Sequence, residues 1–182
     1  MALELRSASI ADTHTVAAAV ASLARAGDIV VLAGEMGAGK TAFAQGFGAA
    51  LGVTDRMTSP TFTLVHSFEV TEGPHAGRLT LHHADLYRLE RTTEVADLAL
   101  AELADFRGVV LVEWGDVVEG LFGDHLVVHL APDDDGRDDG RDGSADDVFA
   151  LDGRRRIEIA GVGETWAGRW DRLVEQLGDL RC

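Results

Sequence analysis

The stretch Ile29-Val-Val-Leu-Ala-Gly-Glu-Met-Gly-Ala-Gly-Lys-Thr-Ala-Phe-Ala-Gln-Gly-Phe-Gly-Ala-Ala-Leu51 decides how this chain is read. Ile29 to Ala33 is a short unbroken apolar run, the pattern of a strand covered on both faces. A glycine-rich turn follows, and helix-forming sequence runs from Thr41 to Leu51, with Gly52 placed to stop it. Gly34 to Thr41 fits G-x-x-x-x-G-K-[ST] between strand and helix, which predicts a phosphate-binding loop. The glycines let the backbone wrap a phosphate without Cβ clashes and turn successive N–H groups inward, while the helix adds its positive end. Glu35, Met36, Gly37, Ala38, Gly39 and the first helical residues through Ala42 are therefore the expected cradle. Lys40 supplies a compact charge for the β- and γ-phosphates, and Thr41 a hydroxyl for Mg²⁺. Gly37-x-Gly39-x-x-Ala42 also fits the shorter dinucleotide fingerprint, but that reading leaves Gly34 and Lys40 unexplained and has no acid at the ribose position.

Outward from that loop, Leu3 and Leu5 suggest a first strand, and Ser9 starts an Ala-rich helix reaching Arg25, with Gly27 placed to end it. Thr61 to Val70 alternates and is β-branched, Glu72 to Gly77 is a turn, and Arg78 to Ala84 is the other half of a hairpin. Thr92 to Phe106 has helical spacing, Val109 to Val112 is another buried strand, and His125 to Leu130 and Arg156 to Ile159 are later strands. Glu164 to Leu180 reads as a closing helix. Strands alternating with helices predict a three-layer α/β domain spanning residues 1–182, its sheet mostly parallel with an antiparallel portion and helices on both faces. Residues 132–147 read as an acidic loop inserted within it.

Composition narrows the partners. The chain has 182 residues, 46% of them hydrophobic, and a net charge of −15, of which the eight aspartates and two arginines from Asp133 to Asp147 give −6. An acidic surface repels phosphate backbones, so contact with nucleic acid is expected only through a basic partner. No apolar run approaches the length of a membrane span, and the first ten residues do not read as an export signal. The one cysteine, Cys182, excludes an internal disulfide and is in keeping with a cytoplasmic protein. Lys40 is the only lysine beside fifteen arginines, which fits a cradle that a fork-shaped guanidinium fills poorly. With neither asparagine nor a second lysine, the N-K-x-D element that reads guanine is excluded, which leaves adenine as the expected base.

A nucleotide hydrolase of this kind needs an acid at a neighbouring strand end to hold Mg²⁺ and a group that orients water. Glu113, after four apolar residues, and Asp85, after Leu79 to Ala84, both end strands correctly. Ion pairs with Arg88 or Arg107 are their ordinary alternative. Thr58 and Ser59, before Pro60, sit where related folds place a segment that senses the γ-phosphate, although a Ser/Thr turn has the same composition. His82 and His83 are adjacent on a strand and so point to opposite faces, which argues against a shared metal.

Four blocks together are more specific than the loop. Gly34 to Thr41, Ser59-Pro-Thr-Phe-Thr-Leu-Val65, His83-Ala-Asp-Leu-Tyr-Arg-Leu89 and Leu111-Val-Glu-Trp114 resemble, in order and spacing, the TsaE family, the ATPase subunit of the bacterial machinery that makes threonylcarbamoyladenosine in tRNA. The resemblance covers about residues 10 to 115 and implies a protein that binds ATP and Mg²⁺. Such a protein docks on TsaD and TsaB, and its ATP hydrolysis supports repeated cycles of tRNA modification. Carried over by position, Lys40 and Thr41 bind phosphate and Mg²⁺, Glu113 is a further Mg²⁺ ligand, and Asp85 assists hydrolysis by ordering water or metal. Thr58 and Ser59 line the γ-phosphate side, Tyr87 and Trp114 shape the site or a docking surface, and Thr13 lies beside the base. Glu35 replaces the commoner Asp of the loop, and Arg154 to Arg156 is a stretch from which one arginine would reach the nucleotide. Two other functions fit a phosphate loop of this size: a small-molecule kinase, and a nucleotide-gated binding module with little hydrolysis.

Overall fold

The chain's three-dimensional structure is a computed structural model, and it describes residues 1–60, 64–87, 99–114, 122–133 and 154–181. Seven strands form one sheet: β1 (Ala2–Ser7), β2 (Ile29–Ala33), β3 (Val65–Glu69), β4 (Thr80–Asp85), β5 (Gly108–Glu113), β6 (His125–Pro132) and β7 (Arg155–Val162). Their order is β1-β7-β6-β2-β5-β4-β3. The four inner strands β6, β2, β5 and β4 are parallel, and the pairs β1–β7, β6–β7 and β3–β4 are antiparallel. Among the described residues the α-helices are α1 (Ile10–Leu23), α2 (Lys40–Leu51), α3 (Leu100–Asp105) and α4 (Trp170–Gln176). This is the expected α/β architecture, with parallel strands at the centre and hairpin-type pairings toward both edges.

Strand alternation splits the core into two layers. Val30 and Leu32 of β2 and Val109 and Leu111 of β5 face the layer made with α1, α2 and α4, where Phe43 and Phe47 are fully buried and stack at 6.5 Å. Burying such a ring stabilises by about 1.5–3 kcal/mol. Ile29, Val31, Val110 and Val112 face the opposite layer, where Leu100 and Ala104 of α3 cover them. Every residue of β2 and β5 is buried, as a strand covered on both faces requires. Helices α1 and α2 approach closely because Gly46 lies against His14 and leaves no room for a Cβ there.

Two expectations are corrected. Helix α1 stops at Leu23 on an extended Ala24, and Gly27 (φ +94°) instead turns the chain into β2, donating its N–H to Ala104 and Gly108 carbonyls. The closing segment is also not one helix. A 3₁₀ turn (Ala167–Arg169), the seven-residue α4 and a second 3₁₀ turn (Gly178–Leu180) replace it. The backbone N–H groups of Glu164 and Thr165 are held by the Asp124 carboxylate, and burial of Trp166 fixes the chain before a helix starts. The first residues of the strand expected from Thr61, those of the helix expected from Thr92, and the acidic stretch after Asp133 lie outside the described residues. Among the described residues no helix is long and apolar enough to cross a membrane.

Candidate functional site

Parallel strands present their carboxyl ends on one edge of a sheet, and ligands of such folds sit outside that edge. Here β2 ends at Ala33, its Leu32 stands opposite Glu113 of β5, and Glu113 in turn stands opposite Asp85 of β4. Gly34 leaves β2 at φ +132°, against the Leu130 carbonyl, where any side chain would collide. Gly39 (φ +106°) opens α2 without a side-chain cap, so the amides of the first helical turn are left for an anion. The cradle read from the sequence is thus formed by backbone geometry.

Lys40 is 5% exposed, and its Nζ donates to the Gly34 and Glu35 carbonyls at 2.6 and 2.8 Å. Its ammonium also lies 3.6 Å from the centre of the Trp114 ring. Trp114 reaches that position through a left-handed backbone (φ +65°), a strained conformation for a bulky residue, fixed by its N–H on the Leu32 carbonyl. Tyr87 packs against the indole at a tilt, 5.0 Å between ring centres. The Trp114 ring thereby forms the face on which the loop lysine rests.

Thr41 Oγ1 stands 3.3 and 3.4 Å from the two oxygens of Glu113, a carboxylate only 3% exposed. A hydroxyl and a buried carboxylate converging in this way are the hard oxygen donors that Mg²⁺ takes, with water and phosphate oxygens completing its octahedron. The residues present therefore fit the metal. Asp85 is held from two sides: Ser59 donates to Oδ2 at 2.6 Å and the Tyr87 N–H to Oδ1 at 3.0 Å. Its carboxylate is thus aimed, and the segment carrying Ser59 is tied to the end of β4.

A cavity of about 310 Å³ collects these groups. Met36, Gly37, Gly39, Lys40, Thr41, Ala42, Ser59, Asp85, Tyr87, Glu113 and Trp114 of the expected residues line it. Four others lie elsewhere. Ala38 is buried behind the loop, and Glu35 and Thr58 are exposed outside the lining. Thr13 is buried in the first turn of α1, its hydroxyl 2.8 Å from Ser7 Oγ and 3.3 Å from the Ser9 carbonyl, and it does not line the cavity.

Sequence reasoning passed over two contacts. His83 is fully buried with Nε2 2.9 Å from Glu113 Oε1. Its only signal was its position two residues before Asp85 on a strand. Within Arg154 to Arg156, Arg155 meets the loop, donating through Nε to the Ala38 carbonyl at 2.9 Å. No local pattern separated that arginine from its neighbours. His82 faces the other way, toward Ser67 Oγ at 2.8 Å, and burial lowers its pKa.

The site can therefore take a polyphosphate on amides and one ammonium, a divalent metal on Thr41 and Glu113, and a water beside Asp85. The family model described as "Threonylcarbamoyl adenosine biosynthesis protein TsaE" matches residues 7–141. The tRNA threonylcarbamoyladenosine biosynthesis protein TsaE of Streptomyces coelicolor is 40% identical over 153 residues, 81% of this chain and 89% of that protein. The protein of the same description from Bacillus subtilis is 39% identical over 117 residues, 64% and 69% of the two chains. Among solved structures, that of Bacillus subtilis YdiB superposes with a TM-score of 0.67 at 28% identity, covering 98% of this chain and 95% of that one.

Proposed function

The chain belongs to the TsaE family of tRNA threonylcarbamoyladenosine biosynthesis, and from that premise we propose that it is the ATP-hydrolysing subunit of the system. Its substrate is ATP with Mg²⁺, and its partners are TsaD- and TsaB-like proteins, on which it depends for any contact with tRNA. The observation that carries this reading is the convergence of Lys40, Thr41, Ser59, Asp85 and Glu113 in one cavity at the carboxyl edge of parallel strands. A net charge of −15 supports the indirect route to tRNA.

The loop amides and Lys40 hold the β- and γ-phosphates and oppose the charge that grows on them as the terminal phosphoryl group departs. Thr41 and Glu113 would hold the metal. Bound there, Mg²⁺ neutralises the phosphate oxygens and supplies Lewis-acid stabilisation. Asp85, kept in place by Ser59 and the Tyr87 amide, orients a water toward the γ-phosphorus. The water oxygen forms the new P–O bond while its proton passes to an oxygen of the transferred phosphoryl group, the bond to the β,γ-bridging oxygen breaks, and ADP and phosphate leave. Substrate contact must also draw the ammonium of Lys40 off the Trp114 ring, a cation–π contact of about 0.5–2 kcal/mol.

The test is Lys40→Ala, assayed by calorimetry with Mg·ATP and in multi-turnover tRNA modification with the partner proteins. Loss of both is expected. Undiminished modification by that variant would end the reading.

A further inference from the structure

We propose that His83 is a positioning residue for the metal-binding carboxylate, and this rests on the Mg·ATP reading above. Its Nε2–H holds Glu113 in the rotamer that faces Thr41.

Three observations lead there. First, β4 and β5 are parallel with His83 opposite Leu111 and Asp85 opposite Glu113. By alternation, Leu81, His83, Asp85, Leu111 and Glu113 share one face of the sheet, so the imidazole lies directly below the catalytic edge. Second, among the contacts described for Glu113, the one from His83 at 2.9 Å is the shortest, and those from Thr41 are 3.3 and 3.4 Å. The imidazole therefore fixes the carboxylate more firmly than the hydroxyl does. Third, the ring is 0% exposed and its other nitrogen, Nδ1, is buried with no hydrogen-bond partner among the described residues.

That third fact fixes the chemistry. An ionised carboxylate only accepts, so the hydrogen must sit on Nε2. Nδ1 is then the nitrogen left without a partner among the described residues. A core position filled only for volume is served at lower cost by Leu or Phe, which bury no nitrogen. Here a polar ring is desolvated and one nitrogen left unsatisfied, and the single bond gained goes to the metal-binding carboxylate. Partners of this kind orient a ligand for its metal, and their loss typically weakens metal affinity about 10–100-fold.

The experiment uses the full chain with His83→Gln, His83→Asn and His83→Leu. The Gln amide nitrogen falls near Nε2, and the Asn amide nitrogen near Nδ1. ATP affinity is measured by calorimetry in EDTA and across a Mg²⁺ titration, with melting temperature as the control for folding. Affinity in EDTA is expected to stay within about threefold for all three. The Mg²⁺ requirement is expected to rise about tenfold or more in Leu and Asn and to stay near wild type in Gln. Should Leu not fold, the Gln–Asn contrast carries the same outcome. A wild-type Mg²⁺ response in a folded Leu or Asn variant, or equal losses in Gln and Asn, overturns the role of His83 alone. Absence of Mg²⁺-dependent ATP binding in the wild type overturns the functional reading, and this inference with it.

Discussion

Asp28 and Glu113 are two carboxylates of nearly equal burial, 2% and 3% exposed, at opposite ends of the central parallel strands. Asp28, just before β2, is held by three protein donors. Arg169 meets it through both terminal nitrogens at 2.6 and 2.8 Å, and the Arg25 N–H adds a third bond at 2.7 Å. The guanidinium also donates to the Leu23 and Thr165 carbonyls, so one pair ties α1, β2 and the C-terminal segment together. Glu113, at the end of β5, is met by a hydroxyl and an imidazole and opens into the cavity. A buried charge held by protein donors away from the cavity is a fastener. One that opens into a cavity is placed to bind.

That contrast can be broken at either end. The largest effect belongs to Asp28→Ala, which leaves Arg169 buried and unpaired: a loss of about 3–5 kcal/mol, on the order of 10 °C in melting temperature, with ATP hydrolysis per folded molecule unchanged. Calorimetric melting beside a phosphate-release assay decides it, and a large drop in turnover of the folded protein would erase the contrast. Next comes Glu113→Gln, expected to lower Mg²⁺-dependent hydrolysis about 100-fold, roughly 2.7 kcal/mol of barrier, while melting moves little. A melting loss rivalling that of Asp28→Ala would make Glu113 a fastener too. Ser59→Ala sharpens the picture at the cavity, since it frees one oxygen of Asp85. We expect kcat to fall about 5- to 10-fold, the equivalent of one hydrogen bond near 1–1.5 kcal/mol, with ATP affinity near wild type.

The smallest effect concerns the other face of β4. Burial holds the pKa of His82 below its ordinary value of 6.5, so between the two values the unfolded chain binds more protons than the native one. Stability therefore declines as pH falls below about 6.5 and is unaffected above it. Denaturant titrations at several pH values should show that slope reduced in His82→Gln. An unchanged slope would assign it to other groups.

Much of this was legible in the chain. The five apolar residues of β2, the glycines of the loop and the helix stop at Gly52 are local patterns, and each appears where expected. The candidate site was also largely legible, since eleven of its expected residues line one cavity. The misses have physical causes. Gly27 looked like a helix stop because glycine favours any left-handed turn, and this one serves the entry to β2 instead. The closing helix was overcounted because sequence spacing does not reveal that Asp124, some forty positions earlier, captures its first amides. Trp114 was expected to shape the site or a docking surface, and that its ring is the face on which Lys40 rests depends on a left-handed backbone that no pattern announces.

By itself the sequence determined the loop proposed as a phosphate cradle, because glycine freedom, one ammonium and a helix start act within eight contiguous residues. Only the tertiary structure decided what completes that cradle. The strand order sets β5 beside β2 and β4 beside β5, and the parallel register then brings Glu113 to Thr41 across 72 residues and His83 to Glu113 across 30. Those meetings follow from hydrogen-bond register and from the alternation of side chains across the sheet, and neither quantity is carried by any single segment of the chain.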